Sequence, residues 1–212
     1  TEFARALTGF TVGGMGKGPV QRLMAQNGKD GDSQFFAAIH EPGDRNVIGR
    51  RYSQQGQAQA RAILADIATH PATAKHIATK LAQHFAADVP SSSLVERLEK
   101  SFLESGGDLP KLYRMLIDSP EMWLAKQAKF KSPWEWVISS FRALNVRELP
   151  NNRQSANMLA QMGQPIWKPG SPAGFSDMTE NWAGGAALMR RVEIASRIAE
   201  RSANRVDART LA

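Results

Sequence analysis

The sequence predicts an all-α fold, a multi-helix bundle with short turns, and three observations carry that reading. Apolar residues recur at i, i+3 and i+4 in several stretches, helix-starting residues stand before most of them, and the connections between them are short. Antiparallel neighbours are the arrangement that buries such stripes. The stretch 71–86 shows the pattern best. Pro71 suits a first helical position, Ala74, Ile77, Ala78, Leu81, Ala82 and Phe85 form one apolar stripe, and Val89-Pro90 stops the helix. The helices over 71–86 and 133–145 form the predicted centre. A chain of 212 residues is long enough for one good core, so one helical domain over 1–212 is expected.

In chain order, residues 1–9 read as the end of a helix that Gly9 can terminate. The glycine-rich run 13–18 resembles a phosphate loop but fails its pattern. Thr11 stands where the first glycine belongs, and Gly18 follows Lys17 where Ser or Thr is required. It reads as a connector, with a short helix over 19–26 behind it. One small β-hairpin is expected near 34–49, because Pro42-Gly43 separates the apolar runs Phe35-Phe36 and Val47-Ile48. A helix over 55–69 follows, then the 71–86 helix.

The later helix starts are written in capping residues. Ser93 and Glu96 make a capping box whose helix ends at Gly106-Gly107. Asp108 caps a helix carrying Leu112, Met115 and Leu116. Ser119-Pro120-Glu121 opens another, and Ser132-Pro133-Trp134-Glu135 repeats the device. Further helices are expected over 153–162 and 186–204. No period of 34 or 40 residues is sustained enough to assign a solenoid. Residues 163–185 break the helical rhythm with five glycines, three prolines and three large aromatics in 23 positions. Loops this long in compact domains are functional or disordered, and Trp167, Phe175 and Trp182 are too apolar for a disordered one. A long, ordered, aromatic loop is expected.

Composition excludes several function classes. There is no cysteine, so disulfides and thiolate chemistry are absent, and no apolar run reaches the roughly 18 residues of a membrane-spanning helix. The net charge of +7 is scattered. Its densest part is the last helix, where Arg190, Arg191, Arg197, Arg201, Arg205 and Arg209 alternate with Glu193, Glu200 and Asp207, as on a solvated face with intrahelical pairs. No nucleic-acid-reading motif accompanies it. Polyanion binding through these arginines would give salt-sensitive retention on heparin, lost when Arg197 and Arg201 are changed.

Candidate chemistry is sparse. His76 and His84 lie eight residues apart, about 12 Å along a helix, which is too far for one metal ion. Lys80 between them is no ligand at neutral pH. No His-Glu-x-x-His pattern and no cofactor-binding pattern is present, so no metal and no cofactor is expected. His40, Glu41 and Asp44 share a turn, where side-chain hydrogen bonds are expected rather than a cation. His70 precedes Pro71 and reads as a capping residue. A nucleophile-elbow serine is missing, since Pro172 is central in 170–174. Asp177 and Glu180 in the aromatic loop are the candidate carboxylates, with His40 or His70 as the candidate histidine. Lys131, at a helix start where the dipole disfavours a cation, predicts an acidic partner, and Arg142 predicts a buried carboxylate.

Several phrases together resemble one bacterial family, domain of unknown function 1800. They are Phe3-Ala-Arg-Ala-Leu-Thr-Gly-Phe10, His40-Glu-Pro-Gly43, Gly49, His70-Pro-Ala-Thr-Ala74, Lys80-Leu81 and Phe85. Phe102, Ser105-Gly-Gly-Asp108, Lys131-Ser-Pro133, Arg142-Ala-Leu144, Met162-Gly-Gln164 and the tryptophan-bearing loop complete the series. Two departures stand out: the family usually has Asp where this chain has Glu41, and often Gly-Trp where it has Gly174-Phe175. Members are longer, so the chain resembles the C-terminal part of a family domain. The resemblance implies a mostly helical, frequently exported bacterial protein, periplasmic or extracellular, and implies no activity.

The expected function is that of an exported, non-catalytic binding or assembly protein. Its partner would be a protein or cell-envelope ligand, met by Trp167, Phe175 and Trp182. The alternative is a hydrolase of a cell-envelope polymer, working through a carboxylate and a histidine.

Overall fold

The computed structural model describes residues 1–13, 31–124, 129–146 and 151–202, with only the backbone of 201 and 202. The predicted helix over 19–26, the 13–18 connector beyond Gly13, Arg205 and Arg209 lie outside them, as does the Arg201 side chain. The described residues are mostly helical, with eight α-helices and two small antiparallel strand pairs. They gather in two compact units, Thr1–Ala74 with Leu103–Gly107, and Lys75–Phe102 with Asp108–Ala212.

The first unit opens with α1 (Glu2–Ala6). Strand β1 (Phe10–Val12) pairs antiparallel with β2 (Ser33–Phe35), Phe10 opposite Phe35. The ladder continues through Gly13 N–H to Asp32 O at 2.8 Å. A 3₁₀ turn (Ala37–Ile39) leads to β3 (Arg45–Val47) and β4 (Arg50–Tyr52), then α2 (Gln57–Ala68). The expected single hairpin is therefore corrected: Phe35 pairs with Phe10, and the hairpin turns on Ile48-Gly49, where φ is +50° and +74°. Two positive φ values in a two-residue loop are the twist-matched hairpin turn. Pro42-Gly43 instead wraps a side chain. The buried Arg45 guanidinium donates to Glu41 O at 2.8 Å, Pro42 O at 3.0 Å and Asp44 O at 3.1 Å. Gln59, also buried, donates to Gly43 O and Tyr52 O, both at 3.0 Å, and so joins α2 to the turn and to β4. Ala6, Val47, Tyr52 and Ile63 form the small apolar centre of this unit.

Helix α3 (Pro71–Phe85) begins in the first unit and continues in the second. The second unit adds α4 (Ser92–Glu104), α5 (Leu109–Asp118), a 3₁₀ turn (Pro120–Trp123), α6 (Pro133–Ala143), α7 (Asn152–Gln161), a 3₁₀ turn (Thr179–Asn181) and α8 (Gly185–Ser202). Two predicted starts are as expected. Asp108 Oδ1 accepts from Lys111 N–H at 3.1 Å, and Ser132 and Glu135 close the full capping box. Two are corrected. The hydroxyl that caps α4 belongs to Ser91, accepting from Leu94 N–H at 3.2 Å, because helical bonding already begins there with Val95 N–H to Ser91 O. The Ser119 hydroxyl donates back to Met115 O at 2.7 Å, so it caps nothing, and only a 3₁₀ turn follows.

Ala74, Ala78 and Ala82 of α3 are fully buried, but the stripe ends there, since Phe85 is half-exposed against the His84 ring. Small buried faces let helix backbones approach closely, while the large buried side chains come from later helices. Leu94 and Leu98 of α4 and Leu112 of α5 are fully buried. Val137, Phe141, Leu159, Met162 and Ile194 tie α6, α7 and α8 into one cluster. Among the described residues no helix is long and apolar enough to cross a membrane.

Candidate functional site

Lys80 and His84 stand one helical turn apart on α3, so both side chains reach the same point beside it. That point is Asp177. Its Oδ2 lies 3.0 Å from Lys80 Nζ and its Oδ1 2.7 Å from His84 Nδ1. Lys129 extends the cluster: its ammonium donates to Asp88 Oδ1 at 2.7 Å and to the Asp177 carbonyl oxygen. Asp88 Oδ2 in turn accepts from Thr179 N–H at 2.8 Å. Two residues of α3, Asp88 just beyond its end and a lysine before α6 thus grip the segment 177–179.

Inside the loop, the Trp182 indole N–H donates to Ser176 O at 2.9 Å, the Ser176 hydroxyl donates to Asn181 Oδ1 at 2.7 Å, and the rings of Phe175 and Trp182 meet at 6.3 Å. These contacts close a loop that local propensity leaves open.

The cluster is electrostatically settled. Partial burial pushes the Asp177 carboxyl up, but hydrogen bonds from His84 and Lys80 outweigh it and hold the group below its ordinary range. Burial likewise opposes ionisation of Asp88, and the bonds from Lys129 and Thr179 prevail. Asp177 is therefore ionised near neutrality. It orients His84 through Nδ1 and leaves Nε2 for another partner. Beside the pair lies a cavity of about 180 Å³, whose lining includes His84, Lys129, Glu135, Gln164, Phe175 and Trp182.

The sequence-derived candidates fall in different places. Trp167 is 94% exposed, Phe175 lies half-buried at the cavity, and Trp182 is buried at 7%. Of the three aromatics expected as contact anchors, Trp182 is the most buried, with its indole hydrogen-bonded to Ser176, and what it presents is part of the cavity wall. Glu180 is exposed in its 3₁₀ turn. His40 Nδ1 lies 2.8 Å from Thr8 O, with its ring against Phe35, and His70 Nδ1 accepts from Ala72 N–H at 3.1 Å as a helix cap. Neither is the histidine at the loop carboxylate. His84 is, and its signal was available: Lys and His at i and i+4 predict a shared acidic partner, not a shared metal. Asp44 pairs with Arg51, and the Glu41 N–H donates to the Thr8 hydroxyl at 2.8 Å. No group of three or more potential metal ligands occurs among the described residues.

Arg142 is exposed, and the buried arginine of the second unit is Arg191, as Arg45 is of the first. Arg191 Nη2 donates to Lys131 O at 2.8 Å, and its guanidinium lies 4.4 Å from the centre of the Phe130 ring. Lys131 thus meets Arg191 through its carbonyl. Among the last helix's other arginines, Arg190 pairs with Glu193 at 3.1 Å and Arg197 donates to Gln161 Oε1 at 3.0 Å.

The model of one family, described as Protein of unknown function (DUF1800), matches residues 1–212. No curated protein and no solved structure matches the chain.

Proposed function

The chain belongs to the DUF1800 family over residues 1–212, and from that premise we propose an exported, non-catalytic binding or assembly protein whose contact surface is the aromatic loop around Trp167. The observation that carries the reading is Trp167 itself, a large indole 94% exposed on left-handed backbone at φ +55°. Such backbone costs about 1–3 kcal/mol in a side-chain-bearing residue, and it holds this ring in water. Ile166 beside it is 45% exposed. Trp134 is 46% exposed, and its backbone N–H donates to Gln164 Oε1 at 2.7 Å, so a second exposed tryptophan starts from a point held to the same segment. Rigid exposed aromatics are where binding energy concentrates. Export rests on the family resemblance and is tested by fractionating cells that express the full protein.

The binding reading is tested by co-sedimentation with purified bacterial cell-envelope fragments. Trp167→Ala is expected to lower retention about 30-fold or more with unchanged thermal unfolding, as for an interface anchor worth about 2 kcal/mol or more. Equal retention of parent and variant sinks it.

One observation favours a second reading, hydrolysis of a cell-envelope polymer: a carboxylate and an imidazole are in contact at Asp177 and His84. An ionised Asp177 suits the role of orienting the imidazole, not that of general acid. Product release from peptidoglycan that disappears in His84→Gln would establish it over the binding reading.

A further inference from the structure

The cavity beside Asp177 carries unused hydrogen-bonding capacity of a particular kind. His84 is engaged through Nδ1, leaving Nε2. Gln164 uses its oxygen on Trp134 N–H, leaving both amide N–H groups. Glu135 uses Oε2 on Ser132 N–H at 2.7 Å, leaving Oε1. Lys129 spends two of its three N–H groups on Asp88 and the Asp177 carbonyl. Donors and an acceptor therefore border one small space, together with the apolar edges of Phe130 and Phe175.

The chemistry narrows the occupant. An anion would meet the Glu135 carboxylate, and a cation would meet Lys129. A group that both donates and accepts, and that has apolar C–H faces for aromatic edges, satisfies every wall. The volume of about 180 Å³ is below the roughly 300–1,000 Å³ of sites for drug-sized molecules, so it takes one ring. We propose that this cavity binds a single neutral polyhydroxylated ring, a hexose-sized sugar unit, with Gln164 and His84 facing its hydroxyl oxygens and Glu135 accepting a hydroxyl proton. The inference does not depend on the Trp167 surface.

The test is calorimetric titration of the full chain with glucose, galactose and N-acetylglucosamine, and with a short oligomer of each sugar that binds. Saturable binding of at least one sugar is expected, with Kd of about 1 mM or tighter. Binding of the monomer as tightly as the oligomer identifies a free sugar as ligand, and tighter binding of the oligomer identifies a chain end. Gln164→Glu keeps the acceptor for Trp134 and removes the donors. Glu135→Gln keeps an acceptor for Ser132 and replaces the remaining one with a donor. Each is expected to weaken binding about tenfold, the effect of one lost hydrogen bond. Trp167→Ala is expected to leave sugar binding unchanged, which separates this site from the proposed contact surface. Absence of binding by all three sugars, or equal binding by parent and both cavity variants, overturns the proposal.

Discussion

Gly9 follows α1 at φ +92°, and a Cβ placed there would lie 2.7 Å from Phe35 Cε2 and 3.0 Å from the Phe36 carbonyl oxygen. Both the backbone and the neighbours therefore demand glycine. Gly9→Ala is expected to destabilise the protein by about 1–3 kcal/mol, read as a lower urea midpoint at unchanged slope. The sequence marked Gly9 as a helix terminator, but the close approach of Phe35 is a tertiary fact. Asp177 shows the same division. It is a candidate in the sequence by its place in 163–185 beside Glu180, and only folding supplied Lys80 and His84. The eight-residue separation from His76 rules out a shared metal at His84, whereas its four-residue separation from Lys80 lets both side chains reach Asp177.

At the scale of the element, caps decide where helices start. Ser91, not Ser93, accepts from the first turn of α4. Ser91→Ala is expected to cost about 1 kcal/mol by thermal unfolding, and Ser93→Ala a few tenths at most. The β3–β4 turn carries a β-branched Ile48 at φ +50°, 66% exposed, ahead of Gly49. Ile48→Asn places the favoured residue there and is expected to stabilise by roughly 0.5–1 kcal/mol, measured by chemical denaturation. That hairpin was misplaced in the sequence because Pro42-Gly43 is the stronger local turn signal. Local signals do not reveal that a buried arginine recruits that turn's carbonyls.

At the scale of the molecule, stability depends on pH through several shifted groups. Hydrogen bonds from Arg97 hold Glu121 below its ordinary value of 4.5, and Asp88 and Asp177 lie below theirs of 3.8. A carboxyl lowered in the folded state contributes fully above its unfolded value and loses that contribution as pH falls through the folded one. Stability should therefore decline below about pH 4.5, and urea unfolding between pH 7 and pH 2 checks it. Asp177→Asn should lower stability at pH 7 and flatten that acid limb. Tyr52 works on the other side. Its hydroxyl donates to Asp66 at 2.7 Å, which raises it above 10.0, so its contribution is complete below that pH and fades as alkali removes the proton.

By itself the sequence determined the helical class, most helix spans, two of the capping starts and the family, because these rest on periodicity and on contacts within a few residues. It also pointed to 163–185 as the unusual segment. Only the tertiary structure decided that Trp182 is interior while Trp167 is exposed, that Arg191 is buried where Arg142 is exposed, and that Asp177 meets His84. Each of those outcomes depends on which distant residue arrives alongside. Asp177 and His84 are 93 residues apart, a separation across which sequence spacing carries no geometric information.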